Sequence, residues 1–350
     1  MDIEEATHQL RVECDNYDQT VQAIKALAHE LLWVDKKKHL RSNGSAFIGR
    51  RMETSASNRI SPENTVTPDL VVRTAPSHGV VAEAKLALAK TPANREEKLK
   101  QVQKYDDDLV GWDTPNEKVD SHDVLLVVHH FHGKQVQAQL REMMEAGQIS
   151  FVRPFGLVCF GIVTQEEAWL SLELLEGHMS SGVKETKLAN RHAMSLDHVA
   201  ANPVLGSIAL YDAEPPCPWL MHCIHEAIMS SALDDAEHLL LQEEGLVEKK
   251  ISVEHLRDLL SDLFGPGPPA DRTPEIPRTS WVRKAMSLFS KMGWAKRLAG
   301  HEYVFFIKNR RKPFEQFIKV CAEEQVGAEE KKKKEAEKMP LLREQIEHEG

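Results

Sequence analysis

Asp69, Glu83 and Lys85 stand at or near the ends of two short apolar segments, Thr67-Pro-Asp-Leu-Val-Val72 and Gly79-Val-Val-Ala-Glu-Ala-Lys-Leu86. Phosphodiester hydrolysis asks a protein to neutralise charge on the scissile phosphate and to make a water nucleophilic. Mg²⁺ suits both tasks, takes carboxylate oxygens and keeps several waters. Asp69 and Glu83 are therefore candidate metal ligands, and the carbonyl of Ala84 can add a third oxygen. Side chains alternate along a strand, so Glu83 and Lys85 share a face. From there Lys85 could orient or deprotonate the attacking water, or stabilise developing phosphoryl charge. The plainer alternative has Asp69 capping a turn after Pro68, with Glu83 and Lys85 as a solvent-side pair. Burial separates the two: unpaired charge on a buried strand is costly, and a cluster around a cation removes that objection.

The elements that must position these residues can be read from periodicity. Val21, Ile24, Leu27, Ala28, Leu31 and Leu32 recur at helical spacing and predict an amphipathic helix over 18–33. A basic loop at Lys36–Arg41 precedes a short strand at Gly44–Gly49, and a polar stretch at 53–65 leads to a second strand near 66–73. Pro76-Ser-His-Gly79 reads as a turn before a third strand at 80–86. A helix is expected over 94–110, then a strand at Val124-Leu-Leu-Val-Val128 whose unbroken apolar run implies burial on both faces. A helix at 134–146, a strand near 157–163 and a helix from about 165 to 176 complete an α/β layer structure around a central sheet.

Gln101-Val-Gln-Lys-Tyr105 follows the two acidic segments and places Gln101 and Tyr105 four residues apart, on one face of the expected helix. Pro68-Asp69, Glu83-Ala84-Lys85 and this Gln-x-x-x-Tyr stretch together resemble the PD-(D/E)XK nuclease superfamily, in the subset related to RecB-type nuclease domains. The resemblance covers roughly residues 18–165. It implies a restriction-endonuclease-like mixed sheet flanked by helices and a DNA-cleaving activity that uses Mg²⁺ or Mn²⁺. It further implies metal binding by Asp69 and Glu83 and water activation by Lys85. Gln101 and Tyr105 would organise the site or contact DNA. The family often adds an acid from its first core helix; Glu30, beside His29, matches that position best, with Glu13 a weaker rival.

The second half reads differently. Residues 178–216 show little periodicity and are taken as an irregular connection. Helices are expected at 219–232, 234–244, 252–264 and 279–292, with glycine and prolines at 265–269 stopping the third. A strand is expected at His301–Ile307. This order looks like a winged-helix domain over 217–320, with a charged helical or disordered tail at 321–350. From Arg278 to Lys312 there are ten Lys or Arg residues against one acid, Glu302, a local net charge of +9. Charge so concentrated suits phosphate contacts. Arg283, Lys284 and Lys291 on the expected recognition helix, with Lys296 and Arg297 beside the wing, are the candidate DNA contacts. Cys217, His222, Cys223 and His225 have metal-ligating types, but the spacing matches no zinc finger and a helix cannot aim them all one way. Packing is the better reading. His129, His130 and His132 follow the core strand and are left without a role.

The whole chain bounds these readings. With 350 residues, 41% hydrophobic and 28% charged, it has the composition of a folded protein of two domains. Its net charge of -10 excludes a generally basic nucleic-acid wrapper. Five scattered cysteines do not describe a disulfide scaffold. No run of about 18 apolar residues occurs and the start, Met-Asp-Ile-Glu-Glu, is too acidic for a signal peptide, so no membrane association and a cytoplasmic location are expected. Residues 1–177 form the expected nuclease-like domain. Two other readings remain open: a noncatalytic DNA-binding or regulatory protein on the same scaffold, and a nuclease effector whose C-terminal half takes a protein partner, a signal or a second copy of the chain.

Overall fold

In a computed structural model the chain divides into two compact units. The structure describes residues 1–34, 39–40, 44–54, 65–85, 92–114, 116–164, 167–180, 188, 192–201, 206–211, 213–233, 235–265, 276–308 and 312–348. The expected Lys36–Arg41 loop, the polar stretch before residue 65 and the proline loop after residue 265 fall largely outside them. One unit comprises Asp18–Ala213 and Ser261–Pro277; the other comprises Met1–Tyr17, Glu214–Leu260 and Arg278–Gly350.

The first unit is an α/β structure. Helix α1 (Ile3–Leu32) enters it at Asp18. Strands β1 (Ser45–Ile48), β2 (Leu70–Ala75) and β3 (His78–Lys85) follow, then α2 (Pro92–Gln103), β4 (Ser121–His129), α3 (His130–Glu145), β5 (Phe155–Thr164), β6 (Ala168–Gly177) and β7 (His192–Ser195). All seven strands form one sheet, and their spatial order is their chain order, β1 through β7. β3, β4 and β5 run parallel, while the outer pairs are antiparallel. Parallel neighbours need a crossover, and α2 and α3 supply the two. Both helices cover the same face: Leu99 and Val102 of α2, with Val136 and Leu140 of α3, bury against Val81, Leu126 and Leu157 of the central strands. β4 is buried at every position after Ser121, which accounts for its unbroken apolar run.

Several expectations need correction. α1 begins at Ile3 rather than near 18; Ala6, Leu10, Cys14 and Tyr17 are buried in the second unit and extend the helix. The helix expected over 94–110 stops at Gln103 and passes into a 3₁₀ turn at Lys104–Asp106. The segment expected as a helix from about 165 to 176 is instead strand β6. Leu170 and Leu172 are buried, and β5 and β7 pair with it on either side. Strand pairing on both edges overrides the helix-compatible Leu and Glu content. The connection read as irregular contains β7 and a short helix at Leu196–Ala200.

The second unit is mainly helical, with α4 (Cys217–Ala227), α5 (Asp235–Glu244), β8 (Val247–Ser252), α6 (Val253–Phe264), α7 (Thr279–Lys291), β9 (Ala295–Arg297), β10 (Glu302–Ile307) and α8 (Pro313–His348). α6 leaves it after Leu260. β8, β10 and β9 form an antiparallel sheet in that order. β8 and β9 are additions to the expected elements; Val247 and Ile251 supply a short inward alternation amid charged residues. No helix among the described residues is long and apolar enough to cross a membrane.

Gly79 carries a packing requirement on β3. A Cβ there would lie 2.0 Å from Cζ3 of the fully buried Trp112. Gly79→Ala is therefore expected to destabilise the sheet unit by about 1–3 kcal/mol, the usual cost of overpacking a core. Urea unfolding of the variant beside wild type measures it, and an unchanged midpoint would show that Trp112 yields freely.

Candidate active site

The β2–β3 register brings the two acids together. Leu70 pairs with Ala82 and Val71 with Val81, so one further step sets Asp69 opposite Glu83. Residues opposite each other on antiparallel strands share a face. On the other side of β3, Glu83 lies beside Leu126 and Lys85 beside Val128. Val71, Val81, Leu126 and Val128 belong to the core beneath α2 and α3. Glu83 thus projects into an apolar layer and is only 1% exposed; Asp69 is 5% exposed. This removes the solvent-side alternative for Glu83.

Each Glu83 oxygen is met by a donor. Lys85 Nζ lies 2.5 Å from Oε1, and the Tyr105 hydroxyl donates to Oε2 at 2.6 Å. Asp69 Oδ2 accepts the Ala84 N–H at 2.8 Å, so Asp69 does act as a backbone cap, reaching across to the catalytic-candidate strand itself. Burial, followed by the charge of Glu83, pushes the Tyr105 phenol well above its ordinary range, which keeps it protonated as a donor. Gln101 lines the same surface groove as Tyr105. Glu83, Lys85 and Tyr105 are therefore joined directly, Asp69 is tied to the same strand through the Ala84 N–H, and Gln101 lies with Tyr105 along the groove.

The 3₁₀ turn that aims Tyr105 is held by residues the sequence reading did not single out. His122 Nε2 bonds the Tyr105 carbonyl at 2.7 Å, and its ring is 5.5 Å from that of Trp112. Burial lowers the His122 pKa to about 4, while its bond to Tyr105 opposes that shift. The imidazole is consequently neutral at neutral pH, with Nε2–H as donor. Asp106 accepts the backbone N–H groups of Val152 and Arg153 at 2.8 and 2.7 Å. The one sequence clue was a histidine just ahead of the apolar run of the central strand.

Beside Tyr105 the surface opens into a groove of about 770 Å³, lined on one side by Thr65–Thr67 and on the other by Glu96, Lys100, Gln101 and Lys104. Lys100 pairs with Glu96 at 2.6 Å. Tyr105, whose hydroxyl bonds Glu83, lines this groove, whereas Asp69, Glu83 and Lys85 do not.

Asp69, Glu83 and the Ala84 carbonyl are hard oxygen donors, and both carboxylates are buried. That donor chemistry fits Mg²⁺, which accepts few protein ligands and retains water. Among the described residues no three His, Cys, Asp or Glu side chains converge as a metal group. Glu30 accordingly does not join Asp69 and Glu83: it lies 3.5 Å from His192 on β7, four strands from β3. His29 faces His198 at 5.5 Å. Glu13, the weaker rival, hydrogen-bonds Gln9 on the N-terminal part of α1.

Other candidates are dispersed. His222 packs on Trp219 and Phe314, His225 on Trp294 and Phe317, and Cys223 is buried. His129 caps α3 and its ring lies 4.6 Å from that of His130 and 5.2 Å from that of Phe160. Arg283 lies 4.0 Å from Glu254 and Lys284 lies 3.2 Å from Glu214, while Lys291 pairs with Glu324. Lys296 and Arg297 are exposed on β9. Comparison with known proteins matches this chain to no family model, no curated protein and no solved structure.

His122 generates a pH prediction. Its folded pKa of about 4 lies below the unfolded value near 6.5, so the unfolded chain binds more protons between them. Stability is then full above about pH 6.5 and falls as pH drops toward 4, by on the order of 3 kcal/mol from this residue. His29 and His129 are also lowered to about 4 and add to the slope. His122→Gln keeps a donor without the titration, and is expected to flatten the urea-stability profile over that window. A profile as steep as wild type would assign the acid sensitivity elsewhere.

Proposed function

We propose that the sheet unit is a divalent-metal-dependent nuclease that hydrolyses DNA phosphodiester bonds, as the PD-(D/E)XK resemblance implies. The observation that carries this reading is the buried Glu83 carboxylate, held between Lys85 and Tyr105 with Asp69 opposite; Tyr105 in turn lines an open groove. Asp69, Glu83 and the Ala84 carbonyl would hold Mg²⁺ or Mn²⁺, which supplies charge neutralisation at the phosphate and a more acidic water. Lys85 supplies a cation near the reacting phosphate, to orient the water or meet developing negative charge. Tyr105, protonated, fixes the rotamer of Glu83, and Gln101, on the groove beside it, would contact DNA. Lys100 and Lys104 give the groove cationic groups for flanking phosphates.

The second unit fits a winged-helix reading. Its elements α5, β8, α6, α7, β9 and β10 follow the order helix, strand, helix, helix, strand, strand, with the last strand central in the sheet. α7 would then enter a major groove, and β9–β10 would be the wing. Trp281, Val282, Ala285, Met286 and Phe289 bury one side of α7, which leaves Arg283, Lys284 and Lys291 exposed. Their acidic neighbours favour a second reading of this half, in which it docks a partner protein.

Cleavage tests the catalytic proposal. Circular duplex, linear duplex and single-stranded DNA are incubated with the protein and Mg²⁺ or Mn²⁺. Wild type is expected to cut at least one; Glu83→Gln and Lys85→Ala should each lose about 100-fold or more. No cutting and no divalent-ion binding by wild type would end the enzyme reading, and cutting by both variants at the wild-type rate would relocate the site.

DNA affinity tests the second unit. Arg283→Ala with Lys284→Ala is expected to weaken binding and reduce the salt slope by about 2, one per phosphate contact. Fluorescence anisotropy across a salt series measures both. Unchanged affinity and slope would transfer this half to a partner-docking role.

A further inference from the structure

At the carboxyl edge of the parallel strands, aromatic and apolar side chains lie open beside the candidate site. Phe131, in the first turn of α3, is 79% exposed, Val163 of β5 46% and Trp169 of β6 42%. The Phe131 ring lies 4.1 Å from that of His130, which is also exposed, and 5.0 Å from that of the buried His129. The His130 ring rests against β5 at Gly161, where a Cβ would come within 2.3 Å of Nδ1. Only a residue without a side chain leaves room for the ring there. Val163 and Trp169 are paired across β5 and β6. Single exposed apolar residues need no explanation, but a group of them on one edge marks a contact surface.

Alternation places this group on the same face of the sheet as Glu83 and Lys85. Val81, Val128 and Cys159 all belong to the core beneath α2 and α3. Steps of two from Val81 reach Glu83 and Lys85; steps of two from Cys159 reach Gly161 and then Val163, opposite Trp169. Neighbouring strands lie about 4.8 Å apart, so β5 and β6 are about 10 and 14 Å from β3. That is the length of about three or four stacked nucleotides. Lys134, exposed one helical turn after His130, adds a cation on the side of α3 that carries the rings. Glu167, just before β6, and Glu173, four residues along from Trp169, are exposed as well. They oppose a phosphate on the β6 side and favour one over Lys134 and Lys85.

We propose that Phe131, His130 and Trp169 form a platform on which the bases of an unpaired DNA strand stack while its backbone runs past Lys134 toward Lys85. The inference rests on the nuclease reading of the sheet unit and narrows its substrate to DNA with a single-stranded stretch. Every base has a π-face, so aromatic rings hold an open strand whatever its sequence. A duplex keeps its bases stacked on one another and withholds those faces from the rings. Val163, beside Trp169, extends the apolar contact. Exposed apolar surface alone would suit a protein partner equally. Its place on the face of Glu83 and Lys85, with a cation on the approach, favours the strand.

The test measures fluorescence anisotropy of the full chain, with Ca²⁺ replacing Mg²⁺ so that binding is read apart from cutting. The labelled probes are a short oligothymidylate, an abasic strand of equal length and a duplex of equal length. Phe131→Ala and Trp169→Ala are each expected to weaken oligothymidylate binding about tenfold while leaving the abasic strand and the duplex within about twofold of wild type. Phe131→Trp and Trp169→Phe, which keep a ring, should bind as wild type does. The platform is overturned if wild type fails to prefer the oligothymidylate to the abasic strand, if the alanine variants lose nothing, or if they lose equally on all probes. A wild-type dimer in sedimentation velocity that Phe131→Asp makes monomeric would assign the surface to a second copy of the chain instead. Cleavage separates this inference from the reading beneath it. Base-dependent losses in a protein that cuts nothing would keep the platform and end the nuclease, and cutting with unchanged affinities would do the reverse.

Discussion

A carboxylate that is 1% exposed on the inward face of a β-sheet must be met by donors that reach it without water, and the geometry around Glu83 follows from that requirement. The pleat delivers Lys85 from two residues along the same strand. The second donor has to come from another element. Tyr105 reaches Glu83 only because the chain leaves the α-helical path at Gln103 and tightens into a 3₁₀ turn. That turn exchanges helical hydrogen bonds for tertiary ones, from His122 to the Tyr105 carbonyl and from Val152 and Arg153 to Asp106. Buried ion pairs contribute little net stability, because desolvation offsets much of the attraction. Apolar residues would fill this layer at least as well, so the pair is better understood through its chemistry than through the stability of the sheet.

The two ends of β3 make the point by contrast. β3, β4 and β5 run parallel, so Lys85, His129 and Thr164 mark a common carboxyl edge, the side on which open α/β sheets bind ligands. The groove lies next to Tyr105, whose hydroxyl touches Glu83 near that edge. At the opposite end His78 is bonded at 2.9 Å to both Ser121 and Ser180, and Asp123, fully buried, accepts the Ser180 N–H. Those groups also have catalytic types, yet their hydrogen bonds tie three segments together, with Asp123 Oδ1 facing His78 Nε2 at 3.5 Å and making no hydrogen bond. Position relative to the parallel edge, more than residue type, separates a candidate site from a clasp.

The candidate residues were legible in the sequence because their signals are local. Asp69, Glu83 and Lys85 sit on strands whose apolar runs are unambiguous, and alternation alone puts Glu83 and Lys85 on one face. The sheet and its helices were legible for the same reason up to β5. Beyond it, β6 was mistaken for a helix: its Leu and Glu content suits either structure, and pairing with β5 and β7, which no local window contains, decides the outcome. The true end of α2 was equally hidden, since His122 and Arg153 that hold the turn are distant in the chain. Glu30 illustrates a different failure. A helix end fixes which residues are near it in sequence, and only the packing of α1 determines that Glu30 meets His192 rather than Glu83.

Charge in the second unit shows why a sum is a poor guide to a surface. The chain carries -10 overall, but at physiological salt a charge is felt over only about 8 Å, so distant acids hardly oppose a phosphate at α7. What matters is the immediate neighbourhood, and there Glu254, Glu214 and Glu324 accompany Arg283, Lys284 and Lys291. Exposed pairs of this kind are worth about 0–1 kcal/mol each, little enough for a phosphate to displace the glutamate. Each displacement nevertheless returns an anion to the surface beside the incoming backbone. In the proposed winged-helix reading these acids weaken indiscriminate attraction and leave base contacts in the groove a larger share of the affinity. A protein partner carrying its own lysines would meet the opposite balance, drawn to the same glutamates that discourage a nucleic acid.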